Sequence, residues 1–187
     1  MRAGRRTPFW LAASLALAPR QAVDSIFTPQ VELARFRATI PGPAPVGFEG
    51  ASSPAELVRR FVAAVEKQDT AALGRLLISK AEFGFLYFPS SDYNRPPYRQ
   101  KPGLVWFRMT ETSQKGIGRA LARDGGKSLQ SVGHRCPKPA KAEGPHRVWT
   151  DCRLLVRRAG RTIERRLFGS IVERSGRYKF LTYASEY

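Results

Sequence analysis

Histidine, cysteine and acidic residues are scarce in this chain. It contains 2 His and 2 Cys, and its 15 Asp and Glu residues face 32 Lys and Arg. A zinc site needs thiolates and imidazoles at short, regular spacings. Cys136 and Cys152 lie too far apart for such a motif, and His134 and His146 complete no recognisable ligand pattern. The sequence therefore predicts no metal site.

The signatures of nucleotide binding and covalent catalysis are also missing. Gly116-Ile117-Gly118 lacks the third glycine and the preceding strand of a phosphate-binding loop. The sequence has no nucleophile elbow around a serine. Cys152 follows Asp151 in a strand-like pattern, which favours half of a disulfide over an activated thiolate. We expect no cofactor, and covalent catalysis is disfavoured.

Long apolar runs are absent except near the amino terminus. Residues 8–18 form an uncharged apolar run that follows Arg2, Arg5 and Arg6. This run is far shorter than the roughly 20 residues of a membrane-spanning helix. Ala16 and Ala18 supply an A-x-A cleavage pattern, so residues 1–18 are predicted to be a signal peptide. The alternatives are an uncleaved amphiphilic terminus and a wrongly assigned start; we expect a periplasmic or secreted protein without a membrane span.

Export to an oxidising compartment would favour a disulfide between the two cysteines. Even numbers of cysteines in an oxidising compartment pair as disulfides, so a bond between Cys136 and Cys152 is predicted. Closing a loop of this size would stabilise the fold by about 3 kcal/mol. Two buried free thiols are the alternative interpretation.

A strong basic excess is present instead. The formal net charge is +17 at pH 7, and such a field attracts anions of many kinds. An acidic small molecule or an acidic partner is therefore expected, whereas export disfavours nucleic acid. The competing interpretation is that the arginines, spread from Arg35 to Arg177, only reflect a GC-rich genome.

Composition divides the chain into segments. Residues 19–52 are rich in Pro, Gly, Ala and Ser, and this composition is typical of a linker or flexible segment. Within them, residues 31–40 fit either a short helix or a strand. Residues 53–187 are predicted to form one domain, because the remaining length supports a single hydrophobic core.

Helix signals open this domain. Ser53, Pro54 and Glu56 form a capping box with proline at the first helical position. Asp69 can cap a second helix, so the first two helices form a short hairpin. The predicted helices span residues 54–68, 70–77 and 104–122.

Strand signals dominate the C-terminal third. Apolar residues alternate with polar ones from Val148 to Val156, as in a half-buried strand. Gly169 lies inside a long strand pattern and predicts a bulge or bend that would curve the sheet. The predicted strands of this antiparallel meander span residues 128–135, 148–156, 162–174 and 178–184, with turns at 158–160 and 175–176.

This order of elements, over about residues 53 to 185, resembles the nuclear transport factor 2-like superfamily, also called SnoaL-like. The likeness rests on the capped first helix, the second helix after Asp69 and the closing strands 161–185. It implies an α+β fold in which a helical hairpin and a third helix pack on a curved, cone-like antiparallel sheet. Some members of that superfamily are enzymes and many bind ligands or assemble, but their catalytic positions do not match this sequence residue by residue.

Weak candidates for an acid/base site can be named. His134 is the candidate base, because imidazole titrates near neutral pH. Asp92 or Asp151 would orient it, and Tyr93 or Tyr98 would donate a proton. The competing interpretations are a strand-end histidine, a turn aspartate at Asp92, and a cross-strand pair of Asp151 with Arg165 or Arg166.

The segment 87–107 interleaves aromatic and basic side chains, a composition that can stack on rings and pair with acids. Ordinary core packing is the alternative.

A non-catalytic ligand- or partner-binding domain is the leading hypothesis for function. An acid/base enzyme that acts on a small molecule is the second hypothesis, and a polyanion binder is the third. The sequence is also compatible with a homodimer. The candidate ligand-binding residues are Tyr93, Arg95, Tyr98, Arg99, Trp106 and Trp149.

Overall fold

A computed structural model describes residues 27–183 of the chain. The predicted signal peptide, residues 1–18, lies outside this range, as does the beginning of the predicted linker. The described residues form an α+β structure with five helices, one of them a π-helix, and two antiparallel sheets. No helix within residues 27–183 is long and apolar enough to cross a bilayer.

Two helices begin where the sequence predicts, at Pro54 and Thr70, and the third predicted helix begins at Pro102 instead of Leu104. Ser53 Oγ accepts a hydrogen bond from Glu56 N at 3.1 Å, and the Glu56 carboxylate accepts one from Ser52 N at 2.7 Å. Asp69 Oδ1 accepts from Ala72 N at 2.8 Å, which caps the second helix of the hairpin. The helices are α1 Pro29–Ala38, α2 Pro54–Glu66, α3 Thr70–Leu76, the π-helix Glu82–Tyr87 and α4 Pro102–Asp124, and 3₁₀ turns span Phe88–Ser90 and Asp92–Asn94.

For residues 31–40 the sequence fits either a short helix or a strand, and the structure shows a helix, α1, through Ala38. It contacts the π-helix and α4, and the buried ring of Phe36 lies 5.6 Å from that of Phe83. Arg37 Nε donates to the carbonyl of Gly84 at 3.0 Å. This part of the predicted linker is therefore a packed helix.

The strands form two sheets. One sheet has the order β1-β4-β5 and the other the order β2-β3-β6-β7. The strands are β1 Ser131–Arg135, β2 Lys141–Glu143, β3 His146–Trp149, β4 Arg153–Arg158, β5 Arg161–Arg165, β6 Ile171–Arg174 and β7 Arg177–Phe180.

The single curved sheet expected from the sequence is replaced by these two sheets, neither of them strongly curled. The predicted strand 148–156 is interrupted at Asp151, whose φ of 56° does not fit an extended strand. The predicted strand 162–174 is interrupted at residues 166–170. The predicted meander order is nevertheless confirmed, because β3 pairs with β6 and β4 pairs with β5.

Gly169 contributes to the second interruption. Its N–H donates to Thr182 O at 3.0 Å, and a Cβ on this residue would lie 2.7 Å from Thr182 Oγ1. Only glycine allows this close approach of two backbone segments. The bend predicted at Gly169 is therefore a break between two sheets.

The disulfide between Cys136 and Cys152 is confirmed. Cys136 follows β1 and Cys152 precedes β4, so the bond lies at the first interruption of the strands. Cys152 is fully buried in the hydrophobic core. The bond therefore ties the break in the strands to the protein interior.

The four-stranded sheet separates two hydrophobic cores. Ile171 and Phe180 pair across β6 and β7 and belong to the core beneath α2 and α3. Val148 and Val172 pair across β3 and β6 and belong to the core beneath the π-helix and α4. Because both faces are covered, aromatic rings fill the interior; Phe168 and Phe180, for example, have centroids 5.0 Å apart.

Two buried ion pairs connect helices to strands. The two terminal nitrogens of Arg165, Nη1 and Nη2, donate to the Asp124 carboxylate at 2.8 Å, joining β5 to α4. Lys179 Nζ donates to Glu82 at 2.9 Å, joining β7 to the π-helix. All four side chains are almost completely buried, and a buried charge without its partner is strongly destabilising.

Replacing both cysteines by serine should lower the free energy of unfolding by about 3 kcal/mol, because the unfolded chain regains the entropy of an open loop. Urea unfolding of the wild type and of the Cys136→Ser/Cys152→Ser variant measures this difference. Wild-type protein reduced by dithiothreitol serves as the control and should match the variant. Equal stability of the three samples would contradict the prediction.

Asp124→Asn should lower the free energy of unfolding by about 3–5 kcal/mol, because Arg165 then keeps a buried charge without its carboxylate. Glu164→Gln is the matched control, since it removes the exposed carboxylate that pairs with Arg135; the expected loss is about 0–1 kcal/mol. Thermal and urea unfolding compare the two variants. Similar losses in both would show that burial does not set the strength of the Asp124 pair.

Candidate functional site

His134 lies in a groove between β1 and α2. It pairs with Leu154 across β1 and β4, so its side chain is on the face that packs against α2. The groove has a volume of about 730 Å³, and its apolar walls include Val58 and Val62. Burial lowers the pKa of His134, which is therefore neutral at pH 7. The neutral imidazole could accept a proton.

The carboxylates proposed for His134 have other partners. The Asp92 carboxylate pairs with Lys141 Nζ. Asp151 lies 3.8 Å from Lys138 Nζ and 3.7 Å from an Arg166 nitrogen. Within residues 27–183 neither carboxylate forms a hydrogen bond or ion pair with His134, so the structure does not bring the three residues together in one catalytic constellation.

A third carboxylate, Glu66, lines the same groove as His134. Its Oε1 accepts a hydrogen bond from Leu129 N at 2.7 Å. This bond connects the end of α2 to the segment before β1. Burial is the cause of the lowered pKa of His134, whereas a neighbouring carboxylate would raise it. The Glu66 carboxylate thus bonds to the backbone at Leu129, and burial is the cause of the pKa shift at His134.

Four of the candidate ligand-binding residues lie in the segment 93–99, which begins in the 3₁₀ turn Asp92–Asn94. Tyr93 is partly exposed, and burial together with the carboxylates of Glu143 and Asp92 raises its pKa. Tyr98 is 69% exposed. Arg95 and Arg99 are exposed, and neither forms an ion pair within the described residues. The loop therefore presents solvated side chains without an enclosed cavity.

The two tryptophan candidates lie on different cores. Trp149 packs beside Tyr178 with ring centroids 6.0 Å apart, and the Arg147 guanidinium lies 5.2 Å from its ring. Trp106 lies 5.3 Å from the ring of Phe83 on the opposite core. The two tryptophans thus do not share one site.

His146 is the second histidine, and it has a structural environment. It is buried, its ring stacks on Phe48 at 5.6 Å, and its Nε2 lies 2.9 Å from the carbonyl oxygen of Leu86. Burial lowers its pKa, so it is neutral at pH 7. Its position at the start of β3 makes it part of the core.

A groove between α3 and α4 combines apolar walls with a predicted binding residue. We call it the Trp106 groove; its volume is about 320 Å³. Its polar groups are few and include Ser79, Lys80, Thr110 and Gln114. The apolar side chains that line it are Leu77, Ile78, Trp106, Met109, Ile117 and Leu181.

Helix geometry places one wall of this groove. Trp106, Met109, Thr110, Ser113 and Ile117 recur at intervals of one helical turn, so they share one face of α4. That face is opposite the end of α3. The α4 wall follows directly from the spacing of residues in the sequence.

The other wall depends on long-range contacts. Ile78 N donates to Phe180 O at 2.9 Å, which fixes the segment after α3 along β7. Leu181 directly follows Phe180, and its N–H donates to Ser170 O at 2.9 Å on the side of β6. Sequence reasoning identified Trp106 but missed Leu77, Ile78 and Leu181, because only pairing with β7 brings them to α4.

One polar atom in the Trp106 groove has an unfilled hydrogen-bonding capacity. Thr110 Oγ1 is buried and has no hydrogen-bond partner within residues 27–183. Buried hydroxyls in proteins are normally paired, because an unpaired one costs free energy. Ser113 in the next turn accepts from Tyr183 N at 3.3 Å. The groove therefore holds one polar atom that a ligand could satisfy.

The lining of the Trp106 groove is mainly apolar. Lys80 is its sole titratable lining residue, and its Nζ donates to Thr39 O at 3.3 Å. The groove offers apolar surface, an aromatic ring and one unpaired hydroxyl.

Comparison with known proteins finds no matching family model, no matching curated protein and no matching solved structure.

Proposed function

We propose that this protein is a non-catalytic binding domain that takes a small, mainly apolar molecule into the Trp106 groove. The observation that carries the proposal is the unpaired, buried hydroxyl of Thr110 between apolar walls. We also propose, from the amino-terminal sequence, that the protein acts after export. The disulfide is compatible with an oxidising compartment.

The dimensions of the groove suit a small ligand. Binding sites for small molecules usually have volumes of about 300–1,000 Å³ and predominantly apolar linings. The Trp106 groove, with about 320 Å³, is at the lower end of this range. Each Å² of apolar surface removed from water contributes about 25 cal/mol, so the aliphatic and indole surfaces supply the main attraction.

Polar groups at the groove narrow the ligand class. The Thr110 hydroxyl can donate to a carbonyl or accept from a hydroxyl of the ligand. Leaving a buried hydroxyl unpaired costs about 1–3 kcal/mol, and a ligand that pairs with it recovers part of that cost. A compact apolar molecule with one hydrogen-bonding oxygen is therefore the expected ligand.

The acid/base enzyme is the alternative function. It requires a base and an orienting carboxylate in one enclosed site, and His134 contacts neither Asp92 nor Asp151 within residues 27–183. The interior of the domain is occupied by rings such as Phe61, Phe168 and Phe180. These features favour binding at a surface groove over catalysis in a central cavity.

The relation to the nuclear transport factor 2-like superfamily stays a proposal. It is supported by the antiparallel order shared by the two sheets, in which β3 and β4 pair with β6 and β5. On this view the two sheets correspond to the two ends of one bent sheet. A homodimer stays open under the same proposal.

Titration with the neutral fluorescent probe 1-aminoanthracene tests the proposed site. Probe emission should rise on binding, and Trp106 emission should fall through energy transfer. Gly74→Leu should weaken binding at least about tenfold, because Gly74 lines the groove and a Cβ there meets no atom within 4 Å. The added side chain therefore enters the groove without a backbone clash.

Gly118→Leu is the matched control, since Gly118 is also a helical glycine whose Cβ would meet no atom within 4 Å, and its probe affinity should be unchanged. Thr110→Val should keep the affinity for the probe but weaken binding of a competitor that carries a carbonyl oxygen. Absence of probe binding, or equal affinities of the Gly74→Leu and wild-type proteins, would contradict the proposed site.

A further inference from the structure

Another cavity lies between the end of α4 and the β4–β5 hairpin, and its lining is strongly basic. We call it the hairpin cleft; its volume is about 290 Å³. One carboxylate, Asp124, is among its lining residues. The five basic side chains that line it are Arg123, Lys127, Arg157, Arg158 and Arg165.

The single carboxylate of the hairpin cleft is already neutralised. Asp124 accepts two hydrogen bonds of 2.8 Å from Arg165, and both side chains are almost completely buried. The charges of Lys127, Arg157 and Arg158 are therefore not balanced by Asp124. An anion in the cleft would meet a net positive field over a low-dielectric floor.

The hairpin itself concentrates arginines. Ala159 and Gly160 have φ values of 48° and 75°, which is the geometry of a type I′ turn. This turn places Arg158 directly opposite Arg161. Like charges at directly opposite positions of an antiparallel pair are destabilising, and Arg157, Arg158 and Arg161 form no ion pair within residues 27–183. A bound anion would relieve this repulsion.

The end of α4 does not oppose an anion strongly. The C-terminal carbonyls of a helix carry partial negative charge, but here several accept hydrogen bonds. Leu121 O accepts from Gly125 N at 2.9 Å, and Arg123 O accepts from Lys127 Nζ at 3.0 Å. Asp124 O accepts from Lys127 N at 3.1 Å.

From these contacts we infer that the hairpin cleft binds a compact, multiply charged oxyanion of the phosphate or sulfate type. Arginine forks suit the tetrahedral oxygens of such groups, and charge-assisted hydrogen bonds to them are strong. The size of the cleft favours one phosphate-like group over an extended polymer. This site is separate from the Trp106 groove, with which it shares no lining residue.

Pyrophosphate titration by calorimetry at low ionic strength tests the inference on the purified protein. Arg158→Gln should weaken binding at least about tenfold, because it removes one charge-assisted contact. Added NaCl should weaken binding by the wild type. In the absence of the anion, Arg158→Gln should leave the melting temperature unchanged or raise it, since it removes the like-charge pair with Arg161.

Arg177→Gln is the matched control. Like Arg158, Arg177 flanks a turn with two positive φ angles, here at Ser175 and Gly176, and lies opposite another arginine, Arg174. Glu173 lies at that turn and accepts from Gly176 N at 2.7 Å, so its carboxylate offsets the local charge. The control variant should bind pyrophosphate as the wild type does.

Vesicle sedimentation distinguishes the source of the oxyanion. Vesicles of equal parts phosphatidylcholine and phosphatidylglycerol present phosphate headgroups, and pure phosphatidylcholine vesicles are the reference. Sedimentation with the anionic vesicles that Arg158→Gln abolishes assigns a lipid headgroup to the cleft, whereas pyrophosphate binding without sedimentation assigns a free oxyanion. No binding to either probe, or equal effects of Arg158→Gln and Arg177→Gln, would overturn the inference.

Discussion

The disulfide between Cys136 and Cys152 lies where the chain passes from the four-stranded sheet to the three-stranded sheet, and it stabilises this transition. Asp151, next to Cys152, leaves the extended conformation with a φ of 56°, so β3 ends and β4 begins on either side of it. An interruption of the strands inside a core leaves backbone N–H and C=O groups without their ladder partners unless other contacts satisfy them. The covalent bond to Cys136 fixes this break, and the packing of both sheets against the helices depends on it.

The covered central sheet determines where a ligand can bind. Both faces of the four-stranded sheet carry cores, and rings such as Phe61, Phe83 and Phe168 occupy the space beneath the helices. Dense aromatic packing of this kind is typical of a protein interior. Within residues 27–183, grooves lie at the edges of these layers, for example where α3 approaches α4 and where α2 approaches β1.

Charge has two distinct roles in this domain. Asp124 and Glu82 are buried with Arg165 and Lys179, and these pairs connect strands to helices without adding net charge. The basic excess lies mainly on exposed side chains. Its effect is local at the β4–β5 hairpin, because a tight turn holds several arginines beside the end of α4. Turn geometry thus concentrates part of the basic composition in one place.

The sequence by itself determined the helix starts, the hairpin turns and the disulfide, because each depends on short-range chemistry. Ser53 and Asp69 accept from backbone N–H groups three residues on, and Gly160 supplies the positive φ of its turn. The strand order of the meander also followed from the sequence, since consecutive strands joined by tight turns pair with each other.

Tertiary structure alone decided the division into two sheets and the location of the cavities. The alternation from Val148 to Val156 looks continuous, because a single residue at positive φ leaves no periodic signal. The Trp106 groove needs Leu77 and Leu181, which are far apart in sequence and reach α4 through backbone bonds near β7. His134 and Asp151 carried suitable chemistry in the sequence, but which groups they contact is set by long-range packing that no local pattern encodes.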